Sequence, residues 1–284
     1  MAPLFNLFDN DIYMPRTSSL NLIETLQKLE PTFIEAGKLA YKMQEGVRSY
    51  NKRETGSPAG DIVTEADLAV QELLLQAMSK TELINCRLLA EEDTPAAKLF
   101  NEYGEYYLGI DPIDDTAIYA KGGQHFSTIV TLHDGRNILY VFLYFPAWDW
   151  MHTIVKNVYE VSGLTPDISL TPGADKTIVY GSGNPEKRIP AEILKDLEAR
   201  GINFSPIASI TGEYATIGSF ITGKVAGVYH EDMNAYDGIV EFAIASARGQ
   251  KIYSGGPNGP IDLTDIRKRV SGLYYPGYYV ALNE

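Results

Sequence analysis

Four acidic segments of this 284-residue chain have the makings of a cation site: GDIVTEAD (60–67), AEED (90–93), DPIDDT (111–116) and AYDGI (235–239). Carboxylates gathered without interleaved Lys or Arg repel one another unless something positive sits between them. Hard divalent cations that take oxygen ligands, Mg2+ above all, meet that need. Acidic residues at helix N-termini also complement the helix dipole, and that alone would account for any one segment. DPIDDT asks for more. A strand ending at Asp111, a stiff proline turn and Asp114 three residues on can converge two carboxylates and the Ile113 carbonyl. Thr116 then opens a helix whose first N–H groups are unused, a ready anion site. Cations on one side and amide donors on the other suit a phosphate ester.

The elements that must position these groups are legible in the apolar spacing. Leu22, Ile23, Leu26 and Leu29 follow helical periodicity behind a Ser18 or Ser19 cap, and Phe33 to Met43 continue it past Pro31. Residues 51–60 read as a polar Gly/Pro loop. A second helix is predicted from about Thr64 to Ser79, and short strands at Arg87–Ala90 and Tyr106–Ile110. FSTIVTL (126–132) and ILYVFLYF (138–145) flank HDGRN, a hairpin signal. Beyond residue 150 come a weaker hairpin, the strand TIVYGS, a helix near 186–200, a strand near 203–207, and helices near 212–222 and 235–248 enclosing the strand 224–229. The change of character near 150–180 suggests two intimately packed halves: residues 1–150 carry most of the acidic residues, and residues 151–284 complete the set.

Composition bounds the partners. Twenty-four Lys+Arg against 37 Asp+Glu give a net charge of −13, which argues against nucleic acid or an anionic membrane as a partner but not against a small phosphorylated substrate. Cys86 is the lone cysteine, so a reduced, cytoplasmic setting is expected. Residues 1–16 do not read as a signal peptide, and no stretch approaches the ~20 apolar residues of a membrane span. His125, His133 and His152 lack metal-ligand spacing and read as structural or solvated. The Gly-rich stretches at 181–185 and 254–260 lack a P-loop context.

In order and spacing, GDIVTEAD, the Glu91-Glu92 pair, DPIDDT and AYDGIVEFAIASARG (235–249) resemble the inositol monophosphatase superfamily of Mg2+-dependent, lithium-sensitive phosphomonoesterases. The family patterns are approximately D-x-V-T-x-x-D, E-E, D-P-[IL]-D-G-T and W-D-x-[AG], and the match runs from about residue 20 to 256. The resemblance implies a layered αβαβα sandwich and often a homodimer. It implies two or three Mg2+ ions, with Mn2+ able to replace them. Glu91, Asp111 and the Ile113 carbonyl would hold the first ion, and Asp111, Asp114 and Asp237 the second. Glu91 and Asp61 would border a third, and Thr116 with Asp61 would orient and deprotonate the attacking water.

Two departures bear on substrate. Asp115 stands where the motif has glycine, so it either caps the following helix and points outward or alters the phosphate site. Tyr236 replaces the motif tryptophan, an aromatic exchange that should leave Asp237 in place. Glu213 and His230 fall in stretches that face substrate in the family. The expected activity is therefore hydrolysis of a small polyol, inositol or sugar phosphate. The alternatives are a bisphosphatase of nucleotide 3′-phosphate or fructose-1,6-bisphosphate type, which needs a basic pocket, or a member repurposed through Asp115.

Overall fold

The computed structural model describes residues 18–46, 49–51, 62–168, 170–210, 216–269 and 272–284. The chain opens with helix α1 (Ser19–Met43), capped by the Ser18 hydroxyl and running through Pro31. Strands β1 (Ser49–Asn51) and β2 (Ile62–Thr64) form a small antiparallel pair. Helix α2 (Glu65–Met78) follows at once, its start fixed by a capping box between Thr64 and Asp67. Next come β3 (Arg87–Ala90), β4 (Tyr107–Asp114), the single turn α3 (Thr116–Tyr119), β5 (Ser127–His133), β6 (Ile138–Phe145), β7 (Trp150–Val155) and β8 (Val158–Ser162). The C-terminal part contains β9 (Thr177–Tyr180), α4 (Pro185–Arg188), α5 (Ala191–Ala199), β10 (Asn203–Pro206), α6 (Ile207–Ile210), α7 (Thr216–Ile221), β11 (Gly227–Asn234), α8 (Val240–Ala247), β12 (Ile252–Gly255), β13 (Arg267–Arg269) and β14 (Gly272–Leu282).

Strands β3 to β8 form one six-stranded sheet in chain order, parallel at β3–β4 and antiparallel elsewhere. The second sheet runs β10-β9-β11-β14-β12, with β13 paired to β14. Alternation along β6 shows how the layers stack, because successive side chains point to opposite faces. Tyr140, Phe142 and Tyr144 join the core built on α1 and α2, whereas Val141, Leu143 and Phe145 join the core containing α7, α8 and the second sheet. The far face of the second sheet packs on α5 through Ile178, Tyr229, Val280 and Leu197. The order is helix, sheet, helix, sheet, helix, as the motif resemblance implies. Each fully buried apolar side chain contributes roughly 1.5–3 kcal/mol, so a strand buried on both faces ties the layers together.

Several elements differ from their sequence reading. The helix expected near 186–200 is two, because Ile189 is extended ahead of Pro190 and ends α4 there. The helix expected over 235–248 begins at Val240, and residues 235–239 form a turn that carries Asp237. His133 and His152 are buried against tyrosine hydroxyls, Tyr275 at 2.7 Å and Tyr159 at 2.6 Å. Burial pushes them down to about 4 and about 3, so both are neutral structural residues. No helix among the described residues is long and apolar enough to cross a membrane.

Candidate metal centre and active site

The C-terminal end of β4 supplies the centre of the site. Asp111 is almost fully buried, and its Oδ1 accepts the Ile113 amide at 3.0 Å, which fixes the proline turn. Asp114 closes the strand and accepts the Ser127 hydroxyl from β5 at 3.0 Å. Asp237 arrives from the other sheet on the turn before α8. Gly109 allows that approach: a Cβ there would lie 2.6 Å from the Tyr236 carbonyl oxygen, too close for any other residue. Carboxylate oxygens of Asp111, Asp114 and Asp237 lie within 4.8 Å of one another.

A second group, with the same spacing, joins Asp67, Glu91 and Glu92. The charge of Glu91 raises Asp111, so the two groups are electrostatically linked. Buried Gln71 fixes the position of the Glu91-Glu92 segment. Its amide donates to the Glu92 carbonyl at 2.7 Å and its carbonyl accepts the Glu92 N–H at 3.0 Å. The buried ring of Tyr236 lies close enough to feel the charges of Glu91, Asp237 and Asp111.

Thr116 begins α3 beside both groups. Its hydroxyl lies 2.9 Å from the Ile113 carbonyl and 3.2 Å from Asp67 Oδ1. Asp67 uses its other oxygen for the capping box, accepting the Thr64 amide at 2.8 Å and hydroxyl at 2.5 Å. Its two oxygens therefore serve two purposes, one structural and one facing the site. The N–H groups of Thr116 and Ala117 lead the helical turn and are not used by its own ladder.

The electrostatics are those of carboxylates short of positive charge. Desolvation raises Asp67, Asp111, Asp114 and Asp237, and repulsion from their acidic neighbours adds to it. Asp67 is raised to about 6 by burial and by Glu91, against the hydrogen bonds from Thr64 and Thr116. Asp237 is raised to about 7 by burial, Glu91 and Glu241, with His230 opposing. Asp111 and Asp114 are pushed well above the carboxylate range by burial and by their acidic neighbours. Asp237 Oδ1 is buried and has no hydrogen-bond partner among the described residues. An all-oxygen donor set with an orphaned buried carboxylate oxygen fits a hard divalent cation.

Asp115 adopts a left-handed conformation (φ 64°, ψ 46°), the region glycine enters freely and a side chain enters at a cost. It does not cap α3, since its side chain makes no cap hydrogen bond. Asp115 is half-buried, and burial and the charge of Glu241 raise its carboxyl to about 7. His230 lies on β11, 3.0 Å from Glu241 Oε1.

Asp61 and Glu213, both named from the sequence, lie outside the described residues. Within them, the partner of Thr116 is Asp67, the last residue of GDIVTEAD, which sequence reasoning did not single out. Gln71 and Glu241 were also missed, and Glu92 was named only as part of the Glu91-Glu92 motif, without a role. Two of these had a signal: Asp67 and Gln71 are polar residues one turn apart on the buried face shared with Val70 and Leu74. Glu241 is the one charge in the otherwise apolar VEFAIASA helix.

A sequence model of the inositol monophosphatase family matches residues 24–249. An inositol monophosphatase of Dictyostelium discoideum is 28% identical over 138 residues, 49% of each chain, so the match spans about half the length of that relative. Among solved structures, a staphylococcal IMPase-I complexed with products superposes with a TM-score of 0.62 at 14% identity over 92% of each chain. An IMPase/NADP phosphatase complexed with Mg2+ and phosphate gives 0.61 at 14% identity, again over 92% of each. The Thermotoga maritima IMPase gives 0.60 at 16% identity over 91% of this chain and 92% of its own. At such identities the superpositions speak to the fold, and they agree with the sequence match that covers most of the chain: it belongs to the inositol monophosphatase family.

Proposed function

We propose that the protein is a Mg2+-dependent phosphomonoester hydrolase acting on a small polyol, inositol or sugar phosphate. The observation that carries this reading is the Thr116 hydroxyl placed between Asp67 and the turn that joins Asp111 to Asp114. Asp111, Asp114 and Asp237 would hold one ion. Glu91, Asp111 and the Ile113 carbonyl would hold another, with Asp67 and Glu92 at its border. Mg2+ bound there would neutralise developing phosphoryl charge and make water a stronger acid.

The remaining work falls to side chains. The Thr116 and Ala117 amides anchor a phosphoryl oxygen at the start of α3. Thr116 orients the attacking water and passes a proton toward Asp67, whose elevated pKa suits a base working near neutrality. No protein nucleophile is needed, because phosphoryl transfer depends mainly on positioning and charge stabilisation. The matched family and the solved relatives bound to inositol 1-phosphate and to Mg2+ with phosphate support the same reading. A second phosphate on the substrate is disfavoured by charge. Arg188, one of the cations beside β11, is paired with Glu231 at 3.7 Å and Asp232 at 3.5 Å.

The test is phosphate release from a panel of inositol, sugar and nucleotide monophosphates and bisphosphates, with Mg2+ and with EDTA. Mg2+-dependent release from polyol or sugar monophosphates is expected, and release confined to bisphosphates would overturn the substrate class. Asp115→Gly should raise kcat/KM across the monoesters, since it removes a carboxylate adjoining the anion-binding amides. The same change should stabilise the metal-free protein by about 1 kcal/mol, the cost of a left-handed non-glycine residue. A fall in both activity and melting temperature would assign Asp115 a positive role.

A further inference from the structure

Beyond the metal-binding carboxylates lies a second polar unit. On β11, Val228 belongs to the core that contains α8, while Tyr229 faces the opposite layer. Alternation therefore turns His230 toward α8. There its Nε2 meets Glu241 Oε1 at 3.0 Å, and Glu241 is 1% exposed. Tyr279 stacks on the imidazole with ring centroids 5.0 Å apart, and its hydroxyl lies 3.3 Å from Glu241 Oε2. The same hydroxyl lies 3.2 Å from the carbonyl of Gly238, the residue after Asp237, so the unit is locked to the turn that presents Asp237.

A buried carboxylate on one ring nitrogen fixes the orientation of a histidine and favours its protonated form, leaving the other nitrogen to work. Here Nδ1 has no hydrogen-bond partner among the described residues, and the side chain is a quarter exposed although Nε2 is taken by buried Glu241. The unit sits on a definite side of the site. Glu241 acts on Asp114, Asp115 and Asp237, whereas the surroundings of Asp67 are set by Thr64, Glu91 and Thr116. Attacking and leaving oxygens of a phosphoryl transfer stand roughly in line. A proton acceptor on the Asp67 side calls for a donor on the other.

We infer that His230 is the general acid of the reaction, donating its Nδ1 proton to the leaving alcohol oxygen, with Glu241 and Tyr279 as positioning residues. The inference rests on the hydrolase reading above. In the step, the P–O bond to the alcohol breaks and its electron pair stays on the alcohol oxygen. That oxygen takes the proton from Nδ1, and the neutral imidazole regains one from solvent. Burial works against a charged ring at this position, but the charge and hydrogen bond of Glu241 oppose it, and His230 lies above its ordinary value. The groups facing the ring are Glu241 from α8, Asp237 from its turn and Tyr279 from β14. Its strand neighbours are engaged elsewhere, Glu231 with the Tyr229 hydroxyl and Asp232 with Arg188 and the Gly277 amide.

Leaving-group dependence separates a proton donor from a binding or structural residue. An alkyl ester such as glycerol 2-phosphate needs its leaving oxygen protonated, and 4-nitrophenyl phosphate does not. With Mg2+ present, His230→Gln should shift the ratio of the two kcat values by roughly 10²- to 10⁴-fold against the alkyl ester. Glu241→Gln should shift it the same way by less, and it stands in if His230→Gln does not fold. Ring 15N NMR of the natural protein should show Nε2 holding its proton, with that signal altered in Glu241→Gln. An unchanged ratio, or equal loss on both esters in a folded variant, would overturn the assignment. Absence of release from either ester by the natural protein would instead overturn the hydrolase reading.

Discussion

Asp111→Asn is expected to abolish Mg2+-dependent turnover and to weaken Mg2+ binding by more than the roughly 10- to 100-fold that loss of an outer-shell partner costs. The substitution keeps the side-chain shape and can still accept the Ile113 amide, so the turn should survive. What it removes is the charge shared by the two acidic groups, since Asp111 feels the charge of Glu91 and lies with Asp114 and Asp237. Phosphate release and calorimetric Mg2+ titration would read the two effects. The opposite sign is expected for stability without metal: one fewer repelled carboxyl should raise the melting temperature in EDTA while shrinking the gain on adding Mg2+. Full activity, or an undiminished Mg2+ response, would remove Asp111 from the metal site.

The same repulsion has a pH signature. Asp67, Asp115 and Asp237 titrate at about 6, about 7 and about 7 in the folded protein, above the ordinary ~3.9 of an unfolded aspartate. Over that window the folded state binds more protons than the unfolded one. Metal-free stability attributable to these groups is therefore fully present at low pH and lost as pH rises through the folded values. Mg2+ must displace the protons of Asp67 and Asp237 to bind. Its stabilising increment should accordingly grow from about pH 5 to about pH 7, measured as the difference in melting temperature with Mg2+ and with EDTA. A pH-independent increment would contradict the carboxylate assignment.

Local chemistry explains which parts were legible in the sequence. The apolar run at 138–145 beside a turn signal and the helical spacing from about Thr64 are local patterns, and β6 and α2 lie where those patterns put them. The DPIDDT turn is local too, because one proline and two carboxylates three residues apart largely determine it. Contacts between distant segments were harder to read. Nothing near Thr116 in the chain announces Asp67, 49 positions earlier, because the capping box already explains that residue. Glu241 is likewise intelligible only once β11 and β14 bring His230 and Tyr279 against it. Asp115 shows a third kind of difficulty. Its type suits a helix cap, but the backbone is held left-handed by the turn, and the side chain follows the backbone.

Thr116→Ala should slow hydrolysis by roughly 10²- to 10⁴-fold, the usual worth of positioned proton transfer, while Mg2+ affinity stays close to that of the natural protein. The lost hydroxyl bonds to Ile113 and Asp67 should cost only about 1 kcal/mol of stability, so the variant can be assayed folded. Thr116→Ser keeps the oxygen and should recover most of the rate. Asp67→Asn should produce a comparable loss, because the amide retains an oxygen for the Thr64 cap but cannot take up a proton. The decisive comparison is the double variant. If hydroxyl and carboxylate act as one unit, Asp67→Asn combined with Thr116→Ala should be little slower than either alone, since groups acting together are strongly non-additive. Independent, multiplying losses would mean that the 3.2 Å contact serves the architecture of α2 and α3 and that the proton leaves by another route.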